Sequence, residues 1–388
     1  MKVTNDIIYV GVNDREIDLF EGQYIVPEGM SYNSYVVMDE KIAVMDSVDI
    51  GFGAEWLMNI EKVLGKKEPD YLIVSHMEPD HSANIDAFAK KYPSACIVAS
   101  AKAFAMMKNF FGTDYSDRRV IVSDGDTLSL GRHTLRFATA PMVHWPEVIM
   151  SFEESEGILF SADAFGKFGA LDADEEWACE ARRYYIGIVG KYGAQVQAAL
   201  KKLSGFEIKK ICPLHGPVLS ENLGYYIGLY DTWSSYCPEE AGVAVCYASV
   251  YGNTKKAALY LADKLREMGV KVAVSDLARC DMAEAVEDAF RYSALVLAST
   301  TYNGDVFPPM REFLSNLEER GYKNRAVGII ENGSWAPMAA KVMIGRLSEL
   351  KNITLVGTQV KILSAPSTET YLALDSLASE LFELSRIN

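Results

Sequence analysis

The sequence predicts an α/β chain in two parts: a strand-rich part with interspersed helices over residues 1–240, and a doubly wound parallel sheet over residues 241–388. Three observations predict it. Short apolar runs of strand length recur before residue 240, and histidines follow three of them. A regular alternation of strand and helix patterns begins after Cys237-Pro238-Glu239-Glu240. Loops carrying glycine follow three of the later strands.

In the first part, β-type runs predict strands at Ser34–Met38, Lys41–Asp46, Tyr71–Ser75, Cys96–Ala99, Thr134–Ala138, Val148–Phe152, Ile158–Ala162 and Lys209–Cys212. Asp124-Gly125-Asp126 is a turn signal between two of them. Helical spacing predicts helices at Ala54–Leu64, Ala83–Lys91, Ala101–Phe110, Glu175–Gly187 and Ala194–Leu203.

In the second part, five strands alternate with five helices. The strands are Val243–Ala248, Lys271–Ser275, Ala294–Ser299, Arg325–Glu331 and Thr354–Lys361. The helices are Thr254–Met268, Ala283–Phe290, Pro309–Arg320, Ala336–Leu350 and Tyr371–Ser385. Such alternation implies a parallel sheet covered on both faces.

Composition bounds the function. The length of 388 residues suggests two or three domains, and 49% hydrophobic and 23% charged residues suit globular ones. A net charge of −15 argues against nucleic acid or an anionic membrane as partner. The six cysteines form no C-x-x-C pair, so neither a zinc ribbon nor a rubredoxin-type iron site is encoded. Scattered thiols, a start without an apolar leader and no run of membrane-spanning length predict a cytoplasmic protein.

The densest chemical signal is His76-Met77-Glu78-Pro79-Asp80-His81, which packs four potential metal ligands into six residues. His144, Asp163 and His215 each follow an apolar run, where α/β layers place chemistry. Together these are four imidazoles and three carboxylates. That is too many for one tetrahedral zinc but suits two metals sharing a carboxylate. Ligand type admits iron, zinc or manganese. Helix caps and turns would explain Asp80, but not both histidines beside it. His133, in Leu130-Gly131-Arg132-His133, reads as an ordinary structural histidine.

The second signal is Ser249-Val250-Tyr251-Gly252-Asn253-Thr254, a turn between a strand and a helix start. The hydroxyls of Ser249 and Thr254, with backbone N–H groups around Gly252 and Asn253, would hold a phosphate dianion at the positive end of the helix. The turn is neither a Walker A loop nor a dinucleotide G-x-G-x-x-G. Two later loops, Thr301-Tyr302-Asn303-Gly304 and Asn332-Gly333-Ser334-Trp335, leave the sheet at the same edge. Tyr302 and Trp335 are placed to sandwich an isoalloxazine ring, although aromatics in such loops also serve plain packing roles. The three loops resemble flavodoxin, and one phosphate site fits FMN rather than FAD.

The order H-x-[EH]-x-D-H, His, Asp, His resembles the metallo-β-lactamase fold, an αββα sandwich. Its hydrolases commonly carry histidine at the third motif position, where this chain has Glu78. With the flavodoxin-like second half, for which the resemblance implies strand order 2-1-3-4-5, the chain is similar to the flavodiiron proteins (A-type flavoproteins). Tyr32-Asn33-Ser34-Tyr35, His144-Trp145-Pro146 and Arg183-Tyr184-Tyr185 are further matching segments. The resemblance assigns His76, Glu78 and His144 to the iron nearer the flavin. It assigns Asp80, His81 and His215 to the other iron and Asp163 to the bridge. It places Tyr192 near the substrate pocket. It also marks a departure: Glu21 stands where many relatives carry histidine.

The resemblance implies reduction of O2 to water and/or NO to N2O. A flavin holding two electrons and two ferrous ions holding two more would match the four that O2 requires. It further implies an external donor, either rubredoxin or a reduced deazaflavin or flavin-reductase system. It implies a head-to-tail homodimer or a dimer of dimers. Two other readings compete: a dizinc hydrolase with an accessory flavodoxin-like domain, and a non-enzymatic electron carrier with a structural metal site.

Overall fold

The computed structural model describes residues 2–386. The chain divides into two compact units, Met1–Asp231 and Thr232–Asn388. The division falls inside the helix Leu223–Ser234.

The first unit is built on two sheets. One has six strands in the order Ile7–Tyr9, Tyr35–Val37, Ala43–Met45, Tyr71–Ile73, Cys96–Ala99, Arg119–Ile121. Its first two pairings are antiparallel and its last three parallel. The other has five strands in the order Thr127–Ser129, Thr134–Thr139, Ile149–Glu153, Ile158–Phe160, Lys210–Cys212, antiparallel except for the last pair. Strand period decides which side chains meet between the sheets. Tyr35, Val37, Ala43 and Met45 point from the first sheet into one core with Leu135, Phe137, Ile149 and Ile158 from the second. Helices cover the outside. The indole of Trp56, on Gly53–Leu64, is fully buried and donates to Ser34 Oγ at 2.9 Å. Lys202, on Gly193–Leu203, donates to the Thr139 carbonyl at 2.7 Å.

The second unit is a parallel sheet in the order Val272–Asp276, Glu240–Ala248, Tyr292–Tyr302, Arg325–Asn332, Ile353–Ile362, which is the expected 2-1-3-4-5. Its central strands bury nearly every residue, as a sheet covered on both faces requires. The helices Asn253–Glu267 and Thr368–Ser385 share one core with it. The last helix starts from a capping box in which Ser367 and Thr370 bond each other's backbone N–H.

Several elements differ from expectation. Strands Ile7–Tyr9, Val12–Asp14, Leu19–Phe20, Tyr24–Ile25 and Met30–Tyr32 are two or three residues long, too short to show a period. The expected helix Ala83–Lys91 is preceded by a separate turn, Pro79–Ser82, and begins at Ile85. The expected helix Glu175–Gly187 is an α-helix only over Trp177–Tyr184, continuing as a π turn, Tyr185–Val189. The expected helix Ala336–Leu350 spans Ala339–Leu347, because the Thr301 hydroxyl caps its first N–H groups from another loop. The helix Leu223–Ser234, rich in glycine and aromatics, carried no helical signal.

Candidate metal centre and phosphate cradle

His76 leaves the strand Tyr71–Ile73 fully buried. The backbone before it is pinned by Asp46, whose carboxylate accepts the Ser75 N–H at 2.6 Å. The loop then closes into the turn Pro79–Ser82, in which the His81 N–H bonds the Glu78 carbonyl at 2.9 Å. Ser82 Oγ donates to the Met77 carbonyl at 2.8 Å, and Ser47 Oγ donates to the His81 carbonyl at 2.8 Å. This turn brings residues 76, 78, 80 and 81 to one place.

His215 follows the strand Lys210–Cys212 and is clamped from both sides. The Asn33 side chain donates to the carbonyls of Pro213 at 2.9 Å and Gly216 at 2.7 Å. Ser31 accepts His215 Nδ1–H at 2.7 Å through its carbonyl. Asp163 follows the strand Ile158–Phe160. Gly166 beside it must be glycine, because a Cβ there would lie 2.9 Å from the Asp163 carbonyl oxygen and 3.3 Å from the Tyr184 ring.

The seven expected ligands fall into two groups whose donor atoms lie within 4.8 Å of one another. One is His76, Glu78, His144 and Asp163, and the other is Asp80, His81 and His215. Asp163 faces both. Its Oδ2 lies 2.9 Å from His144 Nε2 and 3.4 Å from His76 Nε2, while its Oδ1 lies 3.3 Å from His81 Nε2 and 3.9 Å from His215 Nε2.

The charge distribution asks for cations. Both carboxylate oxygens of Asp80, Asp163 Oδ1 and His81 Nδ1 are buried without a hydrogen-bond partner. Each such group ordinarily costs about 1–3 kcal/mol. Burial opposes protonation of His144, yet Asp163 and Glu78 raise it to about 9. Burial likewise opposes protonation of His76, and Asp163, Glu147 and Glu78 hold it well above the imidazole range. Asp163 is held well below the carboxylate range by His76, His144 and His81, against the effect of burial. The donor set, His and carboxylate without thiolate, fits two divalent ions sharing Asp163.

Aromatic rings wall the centre. Phe20 meets His215 edge-on at 5.4 Å, and Trp145 meets His76 at 5.2 Å. Tyr184 is fully buried, packs on His215 at 5.5 Å, and has a hydroxyl without a hydrogen-bond partner. Sequence reasoning noted Tyr184 only within a matching segment. It looked instead to Tyr192, which sits half-buried in the turn Gly190–Tyr192 at the head of Gly193–Leu203. Glu21, in the tip between strands Leu19–Phe20 and Tyr24–Ile25, hydrogen-bonds Glu78; partial burial and that neighbouring carboxylate push it up to about 7. His133 is structural: Glu153 accepts its Nδ1–H at 2.9 Å and Arg132 donates to its Nε2 at 2.8 Å.

In the second unit, a cavity of about 640 Å³ opens between the three expected loops, and every expected cradle residue except Gly252 lines it, with Thr300, Ala336, Met338 and Ser364 added. Gly252 has φ +92°, a left-handed conformation, and precedes the helix Asn253–Glu267; its N–H donates to Ser249 Oγ at 3.1 Å. The loops are tied together: Asn332 Nδ2 donates to Thr254 Oγ1 at 3.3 Å and to the Ser364 carbonyl at 3.0 Å. Tyr302, Trp335 and Tyr251 are exposed by 43%, 82% and 95%. Large rings held so open beside a helix N-terminus fit an anion with a flat aromatic body.

The profile described as "ODP family beta lactamase" matches residues 30–216, and the flavodoxin profile matches residues 245–373. The rubredoxin-oxygen oxidoreductase of Megalodesulfovibrio gigas is 27% identical over 394 residues, covering 98% of this chain and 96% of the relative. The anaerobic nitric oxide reductase flavorubredoxin of Aliivibrio salmonicida is 28% identical over 373 residues, covering 92% and 74%. Among solved structures, rubredoxin oxygen:oxidoreductase from Desulfovibrio gigas superposes with TM-score 0.92 at 27% identity, covering 100% of this chain and 98% of that one. The flavodiiron protein from Giardia intestinalis superposes with TM-score 0.88 at 27% identity, covering 99% and 97%.

Proposed function

We propose that this chain, which belongs to the flavodiiron protein family, is an oxidoreductase that reduces O2 to water, NO to N2O, or both. FMN held in the cradle would supply the electrons, drawn from an external donor of the rubredoxin type or a reduced deazaflavin or flavin-reductase system. The observation that carries the reading is the pair of buried donor groups sharing Asp163, in a chain whose second unit holds a phosphate cradle.

His76, Glu78 and His144 would hold one iron, Asp80, His81 and His215 the other, with Asp163 between them. The cradle Ser249–Thr254 would hold the FMN phosphate, and Tyr302 and Trp335 its ring. When bound, the di-iron centre and the flavin supply electrons and Lewis acidity. The chain's own residues do the rest. His215 and His76 keep Nε2 toward the centre because their Nδ1–H groups are donated to the Ser31 carbonyl and to Glu147. Phe20 and Trp145 keep bulk water from the imidazoles. Tyr184 carries a hydroxyl hydrogen that no protein group accepts, available to a substrate oxygen.

We take 1–240 as the metal domain, 241–388 as the FMN domain, and the cytoplasm as the location. No helix among the described residues is long and apolar enough to cross a membrane. The two candidate sites lie in separate compact units, so a head-to-tail homodimer, alone or paired, is the assembly we propose for bringing flavin and metals together.

The test is metal analysis alongside O2 and NO consumption by protein whose flavin has been chemically reduced. Two irons per chain and gas consumption that requires reductant are expected. Zinc, with ester cleavage that needs no reductant, would sink the reading.

A further inference from the structure

We propose that Glu147 is a positioning residue for His76 and that it makes the group His76, Glu78, His144 and Asp163 the tighter of the two metal positions. The inference rests on the reading that these side chains hold metal. Glu147 is 2% exposed, and one of its oxygens, Oε1, accepts both His76 Nδ1–H at 2.8 Å and the Met77 N–H at 2.9 Å. The same residue's carbonyl accepts Ser100 Oγ at 2.9 Å, and Ser100 caps the helix Ala101–Phe111. Glu147 is therefore fixed to a helix at one end and to the first ligand loop at the other.

The consequence lies in the acceptor's charge. A carboxylate behind an imidazole fixes its tautomer and makes the opposite nitrogen a stronger donor. His76 has that backing, and its Nε2 faces Glu78 at 3.3 Å and Asp163 at 3.4 Å. The histidines of the other group do not. His215 Nδ1 meets a neutral carbonyl, Ser31 O, and His81 Nδ1 is buried with no partner at all. Asp80 likewise has no hydrogen bond to orient either of its oxygens. One position thus has a ligand backed by a charge, and the other has one histidine backed only by a neutral carbonyl beside a histidine and a carboxylate that no hydrogen bond orients.

The experiment is anaerobic competition for Fe2+ between the FMN-loaded protein and a chromogenic chelator, read as iron transferred. Wild-type protein should release two irons in two phases. Glu147→Gln, which keeps the size and an acceptor but removes the charge, should weaken the tighter phase by about 10–100-fold and leave the weaker phase in place. Glu147→Asp, which keeps the charge but withdraws the oxygen, should fall between the two. Far-UV circular dichroism and thermal unfolding confirm that the first unit, which contains Glu147, is folded in each variant. Two irons of equal affinity in the wild type would overturn the inference on their own, whatever the variants do. So would a Glu147→Gln shift that is absent or equal in both phases. A chain that takes up no iron would overturn the metal reading as well.

Discussion

His81 Nε2 lies 2.9 Å from His215 Nε2, with the ring centroids 4.5 Å apart. His215 donates its other nitrogen's hydrogen to the Ser31 carbonyl, so the nitrogen facing His81 carries a lone pair. Without a metal, His81 closes this contact by donating Nε2–H to that lone pair; a cation between the rings would use both lone pairs, and Asp80 and Asp163 beside them favour positive charge there. This contact joins the turn after the strand Tyr71–Ile73 of one sheet to the loop after the last strand, Lys210–Cys212, of the other, so the centre exists only once both sheets have packed.

Replacing His144 with alanine removes one donor from a group in the first unit and touches nothing in the cradle. Gas reduction should fall by about two orders of magnitude or more while FMN stays bound. Flavin absorbance and iron content per chain check it. Loss of flavin with iron retained would show the two sites to be misassigned.

Gly252→Ala should do the reverse. A Cβ there meets nothing within 4 Å, so the cost is the left-handed φ of +92° alone, about 1–2 kcal/mol. FMN affinity should drop by about tenfold, read by flavin fluorescence titration, with iron content unchanged.

Asn33→Ala would remove the amide donor that the Pro213 and Gly216 carbonyls share, leaving Pro213 only the Tyr35 hydroxyl at 3.2 Å. A loss of about 1–3 kcal/mol in unfolding free energy is expected. The weaker iron phase should weaken further, since His215 lies between those two carbonyls.

Arg325, 2% exposed, is bonded by backbone carbonyls, including those of Tyr292 at 2.8 Å and Tyr236 at 2.7 Å. Burial pulls its pKa down, yet guanidinium remains charged at any working pH. Arg325→Met would take the guanidinium donors away from these carbonyls and should destabilise the second unit by about 3 kcal/mol. Denaturant unfolding followed by FMN release reads this, with iron retained in the first unit.

The pair of Glu153 and His133 sets an acid limb. Burial raises Glu153, but Ser155, His133 and backbone N–H groups outweigh it and hold the carboxyl below its usual value. A carboxyl with a depressed folded pKa contributes stability above its unfolded pKa and loses it as pH falls through the folded one. Thermal stability should therefore decline below about pH 4, and Glu153→Gln should flatten that decline. An identical acid limb in the variant would rule Glu153 out as its source.

The parallel sheet of the second unit was legible because its strands are five or more residues long and its three central ones, buried on both faces, read as near-continuous apolar runs. The strands of 2–3 residues before Tyr32 were not, because no period shows over so few positions. The loop 76–81 was legible because its donors are adjacent in sequence. Tyr184, Glu147 and Asn33 were not, since a tyrosine, a glutamate and an asparagine carry no local mark of what they will face.

By itself the sequence determined the two units, their sheets' main strands and the types of side chain available for metal and phosphate. Only the tertiary structure decided which oxygen of Asp163 faces which group, which imidazole is backed by a carboxylate, and which tyrosine touches the centre. The physical reason is range. Strand and helix patterns, caps and turns act over a few residues, whereas Glu147 meets His76 across 71 positions and His215 meets His81 across 134, and such contacts exist only when packed sheets bring distant loops together.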